Sequence, residues 1–284
     1  MTDFSRYMIV SDMDGTFLDK DSKAVPANLQ ALERFRAGGG LFTLASGRVH
    51  SVIKPCFDRI EEVVNVPVVA CNGTYLYDFD ANVPYFEERL PQPLVLELVE
   101  FLKEEFPHLP LRACAFEGVY YHILSESSKK LLMTSAPEAR HILPLDEWPT
   151  DTWYKLLMVI EKKDAASIRE KFRQRFGERF CYTTASATTL ELMPPGISKA
   201  TGLEKLRHLS KKTKDRILVA CGDFENDIEM LQAADIAVCP ANACDEVKKI
   251  ADFVLCDHNE GLIADVVAKI ESGELKMKKK RNTV

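Results

Sequence analysis

Residues 8–19 read Met-Ile-Val-Ser-Asp-Met-Asp-Gly-Thr-Phe-Leu-Asp, an apolar run that stops abruptly at two carboxylates. Met8-Ile9-Val10 has the character of a buried strand, and residues two apart on a strand point the same way. If the extension continues, Asp12 and Asp14 face one site, and Gly15 then lets the chain turn away without a Cβ clash. Two like charges this close repel, so burying them requires a cation or a shared proton. A hard divalent cation meets that need, and Mg²⁺ commonly works with one or two carboxylates plus a substrate phosphate. A plain strand-end turn is the alternative, because Asp, Gly and Thr are ordinary turn formers. A calcium loop is disfavoured, since Phe17 and Leu18 stand where EF-hand ligands belong.

Working outward, Leu29, Leu32 and Phe35 recur at helical spacing behind Pro26, and Gly38-Gly39-Gly40 stops that helix. Leu41–Ala45 reads as a second buried strand ending in Ser46-Gly47-Arg48. Val49–Ile60 reads as a weaker helix interrupted near Pro55, and Val66–Cys71 as a third strand ending in Asn72-Gly73. Strands and helices alternating with short polar exits form the doubly wound pattern. Ligands of such sheets lie outside the carboxyl ends of the strands, where Asp12, Asp14, Ser46 and Asn72 all fall.

The rhythm then changes. Tyr75–Tyr77 and Tyr85–Glu87 suggest a hairpin, Leu94–Phe106 a helix, and Leu111–Phe116 with Val119–Ile123 a second hairpin. Tyr154–Ile160 is strand-like, Asp164–Phe176 an amphipathic helix, and Phe180–Thr184 and Thr189–Met193 further strands. From Pro194 the alternation returns: helix Lys199–Leu209, strand Ile217–Cys221, helix Ile228–Ala233, strand Ile236–Val238, helix Ala243–Ile250, strand Phe253–Leu255, helix Leu262–Ile270. The expected architecture is an α/β, doubly wound, mainly parallel sheet (a Rossmann-like core) formed by residues 1–82 and 191–284. An α+β cap domain spanning 83–190 is inserted into it.

A chain of 284 residues accommodates this division, and 46% hydrophobic with 28% charged residues is the composition of an ordinary globular protein. The net charge of −6 argues against general nucleic-acid affinity, and no run approaches a membrane span. No secretory signal is visible at the N-terminus. The eight cysteines lack a Cys-x-x-Cys pair, and Cys71, Cys114, Cys221 and Cys239 sit in apolar runs. They are read as reduced thiols in a cytoplasmic protein. The six histidines lack ligand spacing and are read as surface or core residues. The basic tail Lys276–Arg281 is read as a solvated terminus.

The groups that carry chemistry come from separate strand and helix ends. Ser46 and Gly47 offer a hydroxyl and backbone N–H donors suited to a phosphate oxygen. Lys199 opens a helix, where a cation opposes the dipole, so its placement favours a role in a site over helix stability. Asp223 and Asp227, in Cys-Gly-Asp-Phe-Glu-Asn-Asp, bring more carboxylates than a helix cap needs.

Taken together, Asp12-Met-Asp14-Gly-Thr, Ser46-Gly-Arg48, Lys199 and Gly222-Asp223-x-x-Asn226-Asp227 resemble the haloacid dehalogenase superfamily of phosphatases. The insertion after the third strand, with Gly-Ile-Ser-Lys-Ala-Thr-Gly-Leu and Asn-Asp-Ile-Glu-Met-Leu, is similar to its Cof-type branch. Phe224 departs from that branch, which often has glycine there. The resemblance implies a phosphatase with Asp12 as nucleophile through an aspartyl-phosphate, and Asp14 as acid and then base. It implies Mg²⁺ at Asp12, Asp14 (through its carbonyl) and Asp223. Phosphoryl oxygens would be held by Lys199, Ser46, Gly47, Asn226 and the Met13 N–H, with Asp227 orienting Lys199 or a metal-bound water. It also implies a small phosphorylated metabolite as substrate, such as a sugar phosphate or pyridoxal phosphate. Arg48, Asn72, Arg112 and Tyr120 are the residues expected to reach the rest of it. A phosphomutase or phosphonate hydrolase on the same core, or a non-catalytic phosphoregulated module, are the alternatives. Oligomeric state is not readable.

Overall fold

In the computed structural model, which describes residues 2–123, 139–183 and 188–275, Tyr7–Ser11 is an interior strand of a five-stranded parallel sheet. It lies between Leu41–Leu44 on one side and Ile217–Cys221 on the other, with Ile236–Pro240 and then Phe253–Leu255 beyond. Val68–Ala70 joins the other edge through a single parallel bridge, Ala45 with Val69, and a hydrogen bond from Ser46 N to Val69 O at 2.9 Å. Counting that strand, the spatial order is the doubly wound one, with its switch point between the first strand and Ile217–Cys221. Connections from those two strands leave in opposite directions, which opens a crevice at their carboxyl ends.

Both faces of this sheet are covered. Met8, Val10, Leu218, Ala220, Ala237 and Cys239 pack against Leu203 and Leu206 of helix Lys199–His208, Met230 and Leu231 of Ile228–Gln232, and Val247 of Asp245–Ile250. Helices Pro26–Ala37 and Leu262–Glu271 pack together on the other face. Strands buried on two sides must be apolar throughout, which is why Met8, Ile9 and Val10 run without alternation.

Several expectations change in detail. The strand ends at Ser11, and residues 13–17 form a turn, so Asp12 and Asp14 are not successive members of one extended face. The helix expected over Val49–Ile60 shrinks to His50–Ile53 followed by 3₁₀ turns at Lys54–Cys56 and Ile60–Glu62, because Pro55 cannot donate to a continuing ladder. Val68–Ala70 mainly serves a small antiparallel sheet with Tyr75–Asp78 and Val83–Tyr85.

The chain divides into two compact units. One comprises residues up to Gly47, Cys56–Phe86 and those from Ser198 onward; the other comprises Arg48–Pro55 and Glu87–Ile197. The second unit holds a six-stranded sheet ordered Cys181–Thr183, Thr189–Met193, Trp153–Val159, Leu111–Ala115, Val119–His122, Arg140–Ile142. Helices Gln92–Glu105 and Ala165–Phe176 cover one face of it, packing on Leu111, Ala113, Leu156, Met158, Leu190 and Leu192. The α/β core with an inserted α+β unit is therefore the observed architecture.

All eight cysteines are free thiols, and Cys71, Cys114, Cys221 and Cys239 are buried. Among the described residues no helix is long and apolar enough to cross a membrane. Thr184 and the basic tail from Lys276 lie outside the described residues.

Candidate active site

Asp12 follows strand Tyr7–Ser11 directly, and its N–H donates to Cys221 O at 2.8 Å, which carries the register one residue past the strand. Asp223 leaves the neighbouring strand two residues after Cys221. The two carboxylates thus flank the switch point. Their oxygens, with one from Asp227, lie within 4.8 Å of one another. The close approach depends on Gly15, whose φ is +78° and whose missing Cβ would meet Asp223 Oδ2 at 2.5 Å. Thr16 Oγ1 donates to Asp223 Oδ1 at 2.9 Å and ties the first turn to the second.

Lys199 enters from the first turn of its helix. Ser198 caps that helix in a reciprocal box with Thr201, so the helix start is fixed before Lys199 is reached. The Lys199 side chain is 1% exposed, with Nζ donating to Asp12 Oδ1 and, at 2.7 Å, to Asp227 Oδ1. The other Asp227 oxygen accepts the N–H groups of Asp223 (3.1 Å) and Phe224 (3.3 Å). One carboxylate therefore orients the ammonium and closes the acidic loop at once.

The helix is held down by an unusual turn. Cys71, Asn72 and Gly73 all have left-handed backbone, with φ of 47°, 57° and 96°. A Cβ on Gly73 would stand 2.2 Å from Ser198 O, and one on Gly202 would stand 2.6 Å from Val69 Cγ1. Positive φ at a cysteine is uncommon, and strain of this kind persists where surrounding structure enforces it. Here it lets the start of the Lys199 helix approach the backbone.

The electrostatics follow from burial. Burial raises the Asp12 carboxyl well above the ordinary range, with Lys199 opposing and the charges of Asp227 and Asp223 adding. Burial likewise pushes Asp223 up to about 6, with Asp227 adding to it. Burial works against the Lys199 charge, yet Asp12 and Asp227 outweigh it and hold the ammonium above its usual value. Three carboxylates facing one ammonium leave an excess of negative charge that a divalent cation would neutralise. The donor set is all oxygen, as a hard cation requires. Because both Asp227 oxygens are already engaged, Asp12 and Asp223 are the carboxylates best suited to hold the ion.

Other expected residues fall as follows. Asp14 is exposed in the turn and is not part of the carboxylate cluster; the end of the strand at Ser11 removes the shared face. Ser46 is buried just past the strand beside Asp12's own, with Asn72 N donating to Ser46 O at 2.9 Å. Gly47 is half-buried, Asn72 is buried, and Asn226 and Phe224 are exposed in the acidic loop. Met13 is fully buried.

Arg48, Arg112 and Tyr120 belong to the second unit. Tyr120 needs correcting. It pairs with Ala113 on the helix-covered face, is 7% exposed and stacks on His141 at 4.6 Å, so it is a core residue. Arg112 pairs with Tyr121 and Leu157 on the opposite face. Thr16, which lies in the turn after Asp12 and bonds Asp223, and Asn28, Asn242 and His258, which bond to carbonyls of that turn, are missed by the sequence reading. Of these only Thr16 carried a signal, as part of Asp-Gly-Thr. His258 is neither a plain surface nor a plain core histidine.

Comparison with known proteins agrees with this architecture. The family model described as haloacid dehalogenase-like hydrolase matches residues 9–267. The pyridoxal phosphate phosphatase YbhA of Escherichia coli is 28% identical, over 92% of this chain and 97% of that protein. The 5-amino-6-(5-phospho-D-ribitylamino)uracil phosphatase YitU of Bacillus subtilis is 26% identical, over 91% and 95%. The crystal structure of a haloacid dehalogenase-like hydrolase from Bacteroides thetaiotaomicron superposes with a TM-score of 0.76 at 23% identity, covering 93% of this chain and 99% of that one.

Proposed function

The chain belongs to the haloacid dehalogenase-like hydrolase family, in its Cof-type branch, and is a phosphoric monoester hydrolase; from that premise we propose that it hydrolyses a small phosphorylated metabolite through an aspartyl-phosphate on Asp12, with Mg²⁺ as cofactor. The observation that carries this reading is the buried Asp12 carboxylate at the switch point, held by Lys199 and within 4.8 Å of Asp223. Similarity to two phosphatases of small phosphorylated molecules supports the substrate class. The free thiols are consistent with a reducing, cytoplasmic setting.

Phosphoryl transfer asks mainly for in-line positioning and neutralised oxygens. In the first half-reaction a carboxylate oxygen of Asp12 attacks phosphorus, the bond to the leaving oxygen breaks, and the Asp14 carboxyl gives that oxygen its proton. In the second, the Asp14 carboxylate takes a proton from water, the water oxygen attacks phosphorus, and the Asp12–phosphorus bond breaks to release phosphate. Lys199, Ser46, Gly47, Asn226 and the Met13 N–H hold the phosphoryl oxygens throughout. Asp227 keeps Lys199 aimed at them. The ion, held by Asp12, Asp223 and the Asp14 carbonyl, would supply charge neutralisation for carboxylates and phosphate. Asn72, Arg48 and Arg112 are assigned to the rest of the substrate.

The test is turnover of an aryl phosphate with Mg²⁺ by the full chain and by Asp12→Asn. Multiple turnovers abolished by the substitution are expected. Stoichiometric labelling without release would instead identify a phosphoregulated module.

A further inference from the structure

The turn that carries Asp14 is held from outside by side chains more than two hundred residues away in the chain. Asn242 Nδ2 donates to Gly15 O at 2.8 Å, and Asn242 Oδ1 accepts the His258 N–H at 3.1 Å. His258 Nδ1 lies 2.7 Å from Leu18 O. A carbonyl can only accept, so that nitrogen carries the proton, and Nε2 is then the acceptor for Asn259 Nδ2 at 3.0 Å. Asn259 Oδ1 in turn accepts the Lys20 N–H at 2.9 Å, while Asp257 fixes Asn259 at 2.7 and 3.0 Å. Between these points the buried Asn28 donates to Phe17 O at 3.1 Å and accepts Ala264 N–H at 3.0 Å.

Three carbonyls of one short turn, those of Gly15, Phe17 and Leu18, are thus each taken by a side-chain donor. The inside of the turn is closed by Phe17 N and Leu18 N, which donate to Met13 O at 3.2 and 2.9 Å. Asp14 lies between these two sets of bonds, and its side chain is exposed. The bonds on either side of Asp14 fix the backbone from which its side chain leaves the turn. Misplacing a reacting group by about 1 Å costs roughly a hundredfold in rate.

We propose that Asn242 and His258 are positioning residues for Asp14: they clamp the turn so that its carboxyl can protonate the leaving oxygen. This rests on the reading of Asp14 as the acid. Asn242 is exposed and His258 half-buried, so substituting them leaves the apolar core untouched.

A defect in acid catalysis has a signature that a general loosening of the site lacks. A sugar phosphate has a poor leaving group that needs the proton, whereas p-nitrophenol leaves readily without one. The experiment measures kcat/KM with Mg²⁺ for glucose 6-phosphate and p-nitrophenyl phosphate. It compares the full chain with Asn242→Ala, Asn242→Asp, His258→Ala, His258→Asn and Asp14→Asn. In both Asn242 variants and in His258→Ala the sugar-to-aryl ratio should fall by about tenfold, the worth of one lost hydrogen bond. Asn242→Asp keeps the shape but not the donor, and His258→Asn, which restores a donor near Nδ1, should recover most of the ratio. An equal loss on both substrates, or an unchanged ratio in the clamp variants while Asp14→Asn lowers it, overturns the proposal alone. An unchanged ratio in Asp14→Asn as well removes Asp14 as the acid, and the clamp proposal with it.

Discussion

Lys199 and Asp227 meet at 2.7 Å with both side chains 1% exposed, and the ammonium that joins them also holds Asp12. Asp227 is therefore the hub through which the helix, the acidic loop and the strand before Asp12 are tied.

Asp227→Asn tests that hub. The amide has one carbonyl oxygen for two demands: if it accepts from Lys199, its NH₂ meets the N–H groups of Asp223 and Phe224. A loss of about 2–3 kcal/mol in urea unfolding and a fall in kcat of at least tenfold are expected. A variant as stable and active as the parent would show that the contact is incidental.

Gly73→Ala tests the approach of the Lys199 helix. Its Cβ would stand 2.2 Å from Ser198 O at a φ of +96°, and both features penalise any L side chain. The backbone must shift, so about 2 kcal/mol or more should be lost, together with activity. Gly196→Ala is the control: its φ is +74° but a Cβ there meets nothing within 4 Å. It should cost less and spare kcat.

Magnesium should stabilise the chain thermally, because it binds the folded carboxylate cluster and not the dispersed ones. At a hundredfold excess over Kd the gain is about 2.7 kcal/mol, a rise in Tm of roughly 5 °C or more. Asp223→Asn should abolish most of that rise while raising Tm without magnesium, since it removes one of three mutually repelling carboxylates. A lower metal-free Tm with an undiminished magnesium response would contradict the assignment.

His50 gives the second unit a pH response. Burial pushes its imidazole down to about 4, with Glu87 opposing and Lys54 adding. The folded state therefore holds the neutral ring, while the unfolded chain takes up a proton near the ordinary value of about 6.5. The stability this group contributes is complete above that value and is lost as pH falls toward 4, about 2 kcal/mol between pH 7 and pH 5. Urea titrations should show that loss in the parent and not in His50→Gln. Equal pH dependence in the two would assign it elsewhere.

Much of this was legible in the sequence because buried parallel strands must be apolar runs, and each run ends in a polar exit. Met8–Val10, Leu41–Leu44 and Ile217–Cys221 are found this way, and their exits hold Asp12, Ser46 and Asp223. What was lost is what local pattern does not encode. Nothing in Val10-Ser-Asp-Met-Asp marks where extension gives way to a turn, so the sequence puts Asp14 on a face with Asp12, whereas the strand ends at Ser11. Tyr120 and Tyr121 are adjacent aromatics, and an alternating pattern with the same residue type at both positions cannot say which one faces the core. Asn242 and His258 are single polar residues in loops, and their partners are carbonyls, which leave no trace in the identity of Gly15 or Leu18.

The central claim is covalent: Asp12 carries the phosphoryl group. The most direct measurement is borohydride trapping during turnover of an aryl phosphate with magnesium, which reduces an aspartyl-phosphate to homoserine, followed by peptide mass spectrometry. Homoserine at position 12, absent without substrate and absent in Asp12→Asn, is the predicted result. Steady phosphate release with no modified residue at position 12, or with the modification at Asp14 or Asp223, would contradict it.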